Sequence, residues 1–428
     1  MEIKKILFYG KGNGRDHANH ISSSLSKNIE TYSIIQNENA LMEKEKKVIR
    51  SNCLKKTLDI AKEINPDLVV ISNRADLANG ISKIFENEGY NVFGISDSVA
   101  KLETCKEYAK EFMIRNKIRT PKYFVTNNQE EALKYILENW NKTKYGYVFK
   151  VDQFSKNSFE RTAVPETIEE AEQCIYRLFN STPNARLIIE EKIKGVELSL
   201  HVLIKGEEYC ILPMVQDYKK KYPNDEGPMT AGAASVACGY DYPVQLTQFL
   251  KNDIIEPTIK GFLNENIIYN YILYIGIMIT PEGIPYVLEY NTRTGNPEWL
   301  ALMGLLNLPL SELLEKYYND FDSINKFWSK EKTSVAVYGF SSGYPETERT
   351  IFEEKIMCFE SLKKDTEIMG EHIIKRDNEL YPNGGGVFAL RRTGKEFDMV
   401  KKELIEEFFK IKMNGLYFRS DISKIILN

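Results

Sequence analysis

The chain has 428 residues, more than one hydrophobic core usually organises, so two to four domains are expected. A hydrophobic content of 43% and a charged content of 28% are typical of a soluble globular protein. The net charge of -4 gives no electrostatic reason to expect nucleic acid, and no apolar run is long enough for a membrane span or signal peptide. The six cysteines lack metal-site spacing, so we expect a cytoplasmic protein in a reducing compartment.

Strand and helix patterns alternate over the first hundred residues. This alternation predicts a parallel α/β sheet with right-handed crossovers. The predicted strands are 6–9, 31–35, 68–71 and 91–94, and the predicted helices are 17–27, 54–64 and 77–88.

The rest of the chain mixes hairpins and helices. A long helical pattern at 99–116 precedes a compact αβ unit that ends near residue 190. Hairpins are predicted around residues 205–206 and 281–283, because turn residues there separate two apolar runs. The other predicted elements are strands at 123–125, 147–150 and 187–190, helices at 129–138, 168–179 and 246–264, a polar loop at 217–239, and a last segment with a strand, a glycine-rich turn and a terminal helix.

Two polar side chains follow the apolar run 284–288. Glu289 and Asn291 are two residues apart, so in a strand they point to the same face. Carboxylate and amide oxygens suit Mg²⁺, which shares its ligands with nucleotide phosphates, and Arg293 would face the same cleft. A buried strand that ends in a polar turn explains the same residues equally well.

A glycine-rich turn, residues 10–14, lies between the first predicted strand and helix. Its backbone N–H groups and the helix N-terminus suit an anion, although a tight structural turn is the alternative. The spacing is not the dinucleotide-binding fingerprint. Lys106 and Lys150 taken singly are ordinary surface lysines, and the glycine-containing segment 227–232 is typical of loops that cover ligands.

In combination these motifs resemble the phosphoribosylamine–glycine ligase (glycinamide ribonucleotide synthetase) family of the ATP-grasp superfamily. The resemblance runs nearly from end to end. The motifs that carry it are Gly14-Arg15-Asp16-His17-Ala18, Phe93-Gly94, Ala100-Lys101-Leu102-Glu103, Lys106 to Phe112, Ile118-Arg119-Thr120, Ile189-Glu190-Glu191, Gly195-Val196-Glu197, Gln216-Asp217-Tyr218-Lys219, Gly227-Pro228, Pro257-Thr258, Leu288-Glu289-Tyr290-Asn291-Thr292-Arg293, Ser342-Gly343-Tyr344-Pro345, Asn383-Gly384-Gly385 and Tyr417 to Ile422.

The resemblance implies an α/β protein with the ATP-grasp fold. Its expected parts are an N-terminal parallel α/β domain (1–99), an ATP-grasp domain (100–322) with a lid at about 121–192, and a small C-terminal α+β domain (323–428). It also implies ATP and Mg²⁺ (or Mn²⁺), small-molecule substrates, no nucleic-acid or membrane partner, and a monomer or homodimer.

The resemblance also implies a set of site residues. Arg293, Lys150 and Asp217 are the implied catalytic groups. The implied nucleotide contacts are Lys106, Lys150, Glu190, Glu191, Ile193 and Glu197, and the implied metal ligands are Glu289 and Asn291. The implied contacts to the acid and the amine are Gly12, Asn13, Gly14, Arg15, His17, Asp217, Lys219 and Arg293.

The chain departs from the family pattern in several loops. Where the family has a glycine-rich lid loop, residues 152–159 retain Lys156 as a candidate phosphate contact but contain no glycine. Thr294, Asn296 and Tyr218 replace the Phe, Asp and His of the family pattern.

These changes leave two ligase hypotheses. One is the family reaction on glycine and phosphoribosylamine; the other is a paralogous amide ligase with a different amino acid and amine. A nucleotide-binding protein without catalysis and a dinucleotide-dependent oxidoreductase explain fewer of the motifs.

Overall fold

The computed structural model describes residues 1–152, 162–181, 185–239, 242–345 and 354–423. Lys156, the candidate phosphate contact, lies outside the described residues. In the described part of the chain, no helix has both the length and the apolarity needed to cross a membrane. All six cysteines are free thiols.

The N-terminal region is a parallel sheet, as predicted, and it has a fifth strand, Val48–Arg50, beyond the four that were predicted. Its elements are β1 (Lys5–Gly10), α1 (Gly14–Ser24), β2 (Glu30–Ile35), β3 (Val48–Arg50), α2 (Leu54–Ile64), β4 (Leu68–Ile71), α3 (Arg74–Ala78), α4 (Ile81–Asn87) and β5 (Val92–Phe93). The strand order is β3-β2-β1-β4-β5. The single helix predicted at 77–88 is wrong, because Gly80, with a left-handed φ of +75°, separates α3 from α4.

Two helices and a lid follow. The elements are α5 (Lys101–Thr104), α6 (Lys106–Arg115), β6 (Tyr123–Thr126), α7 (Gln129–Asn139), β7 (Tyr147–Val151), β8 (Thr162–Ala163), α8 (Ile168–Ser181) and β9 (Leu187–Glu191). The single helix predicted at 99–116 is wrong, since Cys105 is extended and the Asp152 carboxylate accepts the backbone N–H of Lys106.

The lid is the antiparallel sheet β6-β9-β7-β8, covered by α7 and α8. It has a hydrophobic cluster of its own, separate from the main core. The lid therefore has its own hydrophobic core, and it meets the rest of the molecule through polar contacts and through the chain segments that lead into and out of it.

The remaining elements form a large antiparallel sheet and its helices. They are β10 (Val196–Lys205), β11 (Glu208–Ile211), β12 (Val215–Tyr222), β13 (Glu226–Cys238), α9 (Val244–Leu250), α10 (Glu256–Asn264), β14 (Ile272–Ile279), β15 (Pro285–Asn291), α11 (Glu298–Leu305), α12 (Leu310–Asn319), β16 (Thr333–Phe340), β17 (Thr366–Gly370), β18 (Ile373–Arg376), β19 (Glu379–Pro382), β20 (Gly386–Gly394) and α13 (Phe397–Phe408). Both predicted hairpins, β10–β11 and β14–β15, are confirmed.

The polar loop predicted at 217–239 is wrong, because these residues form most of the antiparallel pair β12–β13. The second half of β13 consists of small buried residues that form a strand because β12 and β16 pair with it on both sides. The large sheet has the order β15-β14-β10-β12-β13-β16-β20-β17, with β11 beside β10. It thus joins strands from both sides of the boundary predicted near residue 322, and the exact domain limits stay a prediction.

Candidate functional site

Lysines from the lid and from α6 converge on the end of β15. Lys106 begins α6, and its Nζ lies 3.9 Å from Glu289 Oε2. Lys150 on β7 donates to the Leu288 carbonyl oxygen at 3.3 Å. The structure therefore brings together three of the groups that the sequence assigned to the ATP phosphates and the metal.

Glu289 and Asn291 lie on one face of β15, as predicted. Asn291 Nδ2 donates to Glu289 Oε1 at 3.2 Å. Burial acts to raise the pKa of the Glu289 carboxyl, but the neighbouring charges of Lys106, Lys219 and Lys150 outweigh it and lower this pKa to about 2. The carboxylate is thus ionised, and it offers hard oxygen atoms beside the Asn291 amide oxygen.

This donor set fits a divalent metal that shares its ligands with a nucleotide. A carboxylate and an amide oxygen are the donors that Mg²⁺ prefers. Among the described residues, no group of three or more His, Cys, Asp and Glu side chains is arranged to hold a metal ion. Glu289 and Asn291 would consequently hold such an ion together with phosphate oxygens or water.

A buried cluster of two lysines and one glutamate lies next to these groups. Glu190 is 2% exposed; its Oε1 lies 3.1 Å from Lys110 Nζ, and its Oε2 lies 2.9 Å from Lys150 Nζ. Burial lowers the pKa of Lys110 to about 8 despite the attraction of Glu190. The sequence analysis did not assign Lys110 a role, although it lies four residues after Lys106 and so on the same face of α6.

The segment assigned to adenine and ribose joins the lid to the central sheet. At the end of β9 the Glu191 N–H donates to the Lys122 carbonyl oxygen at 2.8 Å, and Ile193 is half-buried in the connection to β10. Glu197 on β10 accepts a hydrogen bond from Lys219 on β12. Lys219, assigned to the substrates, thus lies against the residue assigned to ribose.

Two buried carboxyl groups form the next part of the cleft. Asp217 on β12 lies beside Lys219, 3.9 Å from Oδ2 to Nζ, while Glu298 begins α11 and accepts from Ser199 Oγ at 3.1 Å. Burial and, second, the charge of Glu298 raise the pKa of Asp217 well above its ordinary value. Asp217 Oδ1 and Glu298 Oε2 have no hydrogen-bond partner among the described residues. Glu298 was not predicted as a site residue.

Arg293 is held in place by three acceptors. Its Nε donates to Glu103 Oε1 at 3.1 Å, its Nη2 to Asn291 Oδ1 at 3.2 Å and its Nη1 to the Thr294 carbonyl oxygen at 3.0 Å. The same carbonyl accepts from Arg15 Nη1. The two arginines assigned to the substrates therefore meet, and Arg293 adjoins the metal ligand Asn291.

His201 is a buried neighbour of this arginine pair. Burial lowers the pKa of His201 to about 3, and the charges of Arg293 and Arg15 act in the same direction. The neutral ring accepts the Gly295 N–H through Nε2 at 3.0 Å, so Nδ1 carries the proton. His201 was not predicted, since a histidine inside an apolar strand is more often a core residue.

The glycine-rich turn packs its own side chains against the start of α1. Gly12, with φ +85°, and Asn13 both donate their N–H groups to Asp16 Oδ2, at 2.8 and 3.1 Å. Asn13 in turn caps the helix by accepting from Asp16 N. The Gly14 N–H donates to Glu371 Oε2 at 2.5 Å. Carboxylates of the chain therefore occupy the N–H groups that were predicted to bind an anion.

His17 lies on α1 and contacts residues outside the cleft. Its Nδ1 accepts the Gly370 N–H at 3.0 Å, and its Nε2 lies 3.9 Å from Glu45 Oε1. The side chain is 2% exposed and connects α1 to β17. Its assignment as a substrate contact stays a prediction.

Comparison with known proteins shows the family to which the chain belongs. The chain matches the models for the phosphoribosylglycinamide synthetase N domain at residues 4–103 and its ATP-grasp (A) domain at residues 104–299. A phosphoribosylamine–glycine ligase from Halalkalibacterium halodurans is 31% identical over 85% of this chain and 83% of its own length. The chain belongs to the phosphoribosylamine–glycine ligase family.

Other members of the phosphoribosylamine–glycine ligase family match over the whole length. The enzyme from Caldanaerobacter subterraneus is 29% identical over 98% of this chain and 99% of its own length. The crystal structure of the Thermotoga maritima phosphoribosylamine–glycine ligase superposes with a TM-score of 0.76 and 27% identity, covering 98% of this chain and 100% of that chain. The predicted family, the ATP-grasp fold and the enzyme class, a ligase that forms a C–N bond, are confirmed.

Proposed function

We propose that this protein joins the carboxylate of an amino acid to an amine through an acyl phosphate, at the expense of ATP. Glycine and 5-phosphoribosylamine are the substrate pair of the family reaction, and glycinamide ribonucleotide for purine biosynthesis is its product. The observation that carries this proposal is the convergence of Lys106, Lys150, Glu289 and Asn291 on one cleft between the lid and β15.

The residues of the cleft suit the first half of the reaction. The glycine carboxylate attacks the γ-phosphorus of ATP, and ADP leaves. Lys106 and Lys150 neutralise charge on the transferring phosphoryl oxygens, and Arg293 orients the attacking carboxylate. Glu289 and Asn291 would hold a divalent ion, which we propose to be Mg²⁺ or Mn²⁺, and such an ion would supply charge stabilisation to the phosphates.

The buried carboxyl pair suits the second half. The amine attacks the carbonyl carbon of the acyl phosphate, inorganic phosphate leaves, and the amine nitrogen loses a proton. We assign Asp217 to accept this proton, because the raised pKa of its carboxyl makes the ionised form a stronger base. Lid closure would keep water from the acyl phosphate.

The nucleotide assignments follow the family pattern. Glu190, Glu191 and Ile193 border adenine, and Glu197 accepts the ribose hydroxyls. We further propose a cytoplasmic location, no nucleic-acid or membrane partner, and a monomer or homodimer, which sedimentation would decide.

The test is ADP release with MgATP, glycine and freshly generated 5-phosphoribosylamine. We expect ADP release that requires both glycine and an amine and that disappears in Glu289→Ala. The matched control is Glu282→Ala, which removes an exposed carboxylate in the turn before β15 and should leave turnover unchanged. Glycine-dependent turnover that survives in Glu289→Ala would contradict the proposed site.

A second candidate keeps the chemistry but replaces 5-phosphoribosylamine with another amine. One observation favours it: the Glu371 carboxylate lies at the N–H group of Gly14, in the turn assigned to the substrates. Turnover with a different amine, and none with 5-phosphoribosylamine, would establish this candidate.

A further inference from the structure

The lid contacts the first turn of α6 through one carboxylate. Asp152 follows β7, and its side chain accepts the backbone N–H of Lys106 and, at 3.4 Å, that of Glu107. The Cys105 thiol donates to the same carboxylate at 3.2 Å. The first N–H groups of a helix have no acceptor within the helix itself, so Asp152 supplies from the lid what a capping residue usually supplies locally.

The sheet of the lid fixes the position of this carboxylate. The Asp152 N–H donates to the Arg186 carbonyl oxygen at 3.0 Å, which continues the pairing of β7 with β9. Lys150 lies two residues earlier, so both side chains leave the sheet on the same face. Lys150 reaches the Leu288 carbonyl oxygen beside β15, and Asp152 reaches α6. One face of the lid therefore carries a phosphate contact and the cap of α6 together.

The residue that Asp152 caps is the other lysine assigned to the phosphates. Lys106 begins α6, so the N–H that Asp152 binds and the ammonium group that faces Glu289 belong to one residue. The distance of 3.9 Å between Lys106 Nζ and Glu289 Oε2 exceeds that of a hydrogen bond, so this ion pair directs the ammonium group only weakly. The position of the ammonium group thus depends on how the backbone of Lys106 is held.

Polar contacts alone join the described part of the lid to α6. The hydrophobic cluster of the lid, as far as the structure describes it, contains no residue of this helix. The second contact is the ion pair of Arg186 with Glu107. The Arg186 side chain is 47% exposed, and water screens an exposed pair, so we expect Asp152 to contribute more than this ion pair.

We propose that Asp152 is a positioning residue that makes the phosphate contact of Lys106 depend on lid closure. With the lid closed, the Asp152 carboxylate fixes the first turn of α6, and Lys106 and Lys150 face the phosphates together. With the lid open, α6 loses this cap, and Lys106 loses the fixed backbone from which it reaches the phosphates. This inference rests on the proposed binding of ATP between the lid and β15.

The experiment compares the wild type with Asp152→Ala, Asp152→Asn and the control Glu138→Ala. Glu138 is an exposed residue of α7 that pairs with Lys134 at 4.0 Å, so its removal takes the same charge from the lid without touching α6. Lys106→Met and the double variant Asp152→Ala/Lys106→Met complete a double-mutant cycle. Calorimetry measures the Kd of the magnesium complex of a non-hydrolysable ATP analogue, and hydrogen–deuterium exchange measures the protection of the first N–H groups of α6.

We expect Asp152→Ala to raise the Kd about ten-fold, because a charge-assisted contact to the first turn of α6 is lost, and Glu138→Ala to leave it unchanged. Asp152→Asn keeps an acceptor oxygen and should raise the Kd by only about three-fold. In the Lys106→Met background, Asp152→Ala should change the Kd less than about two-fold, since the lysine through which Asp152 acts is already absent. The analogue should slow exchange at the first N–H groups of α6 in the wild type and not in Asp152→Ala.

An unchanged Kd in Asp152→Ala would overturn the inference while leaving ATP binding, and with it the proposed function, intact. A rise of two-fold or more in the Lys106→Met background would also overturn it, because Asp152 would then act by another route. Failure of the wild type to bind the analogue would instead count against the proposed function as well. If Asp152→Ala does not fold, the same cycle with Asp152→Asn decides the inference.

Discussion

The buried cluster of Lys110, Glu190 and Lys150 predicts an asymmetry between two conservative substitutions. Glu190→Gln should destabilise the protein strongly, whereas Lys110→Met should change its stability little. Glu190 is the only anion of the cluster, and its two carboxylate oxygens lie 3.1 and 2.9 Å from the two ammonium groups. Removing it leaves two cations facing each other, while removing Lys110 leaves a balanced pair.

The magnitudes follow from the distances and the pKa of Lys110. At an effective dielectric constant of about 20, each contact is worth roughly 5 kcal/mol before desolvation is subtracted. The variant without Glu190 loses both contacts. Lys110 can then lose its proton, which removes the repulsion between the two ammonium groups. Because the pKa of Lys110 is already about 8, this deprotonation costs only about 1 kcal/mol near pH 7. The net loss for Glu190→Gln is then about 2–4 kcal/mol.

For Lys110→Met the terms nearly cancel. The variant loses the attraction to Glu190 and the hydrogen bond to Thr120 Oγ1 at 2.6 Å. It also removes the cost of burying an ammonium group that is 2% exposed, and the lowered pKa of Lys110 shows that this cost is at least as large as the attraction to Glu190. We expect a change of no more than about 1 kcal/mol in either direction.

Urea unfolding at pH 7, followed by circular dichroism and by the combined fluorescence of Trp140, Trp299 and Trp328, measures the free energy of unfolding of both variants. The pKa of Lys110 is about 8 in the folded protein and higher in the unfolded chain, so the unfolded chain binds more protons between these two values. The stability of the wild type should therefore rise relative to that of Lys110→Met as the pH increases from 8 to about 10. A Lys110→Met variant that loses as much stability as Glu190→Gln would refute the assignment of Glu190 as the shared anion.

Three further substitutions test the cleft. Glu289→Ala should abolish ADP formation and leave the circular dichroism spectrum unchanged. Because the pKa of Glu289 is about 2, protonation of this carboxylate should cause no loss of wild-type activity as the pH falls from 7 to about 4. Arg293→Lys should raise the KM for the amino acid about ten-fold or more, because one ammonium group cannot replace three guanidinium contacts. The control Arg119→Lys, at an exposed arginine, should retain wild-type kinetics. Equal KM values in the two variants would remove Arg293 from the site. Asp217→Asn should stabilise the protein by about 1 kcal/mol, because it removes a buried carboxyl that lacks a full set of hydrogen-bond partners. The same substitution should lower kcat about a hundred-fold, and an unchanged kcat would contradict the role of Asp217 as proton acceptor.

The parts of the fold that were predictable from the sequence depend on local patterns. The N-terminal strands are short apolar runs bounded by turn residues, and the hairpin turns at Gly206 and Gly283 have the left-handed φ values that favour glycine. The elements that were predicted wrongly depend on contacts with residues far away in the sequence. The β12–β13 pair forms because β16 pairs with β13 from about a hundred residues away, and the helix break at Cys105 is stabilised by Asp152.

The same division separates the two halves of the candidate site. Glu289 and Asn291 were predictable because a strand repeats every two residues, and Lys110 was detectable from its spacing to Lys106 on one helix. The glycine-rich turn before α1 instead meets Glu371, whose carboxylate accepts the Gly14 N–H from 357 positions further along the chain, and no local pattern links the two residues. The motifs that identify an ATP-grasp ligase therefore report on the nucleotide side of the cleft alone, and the choice of amine has to be measured separately.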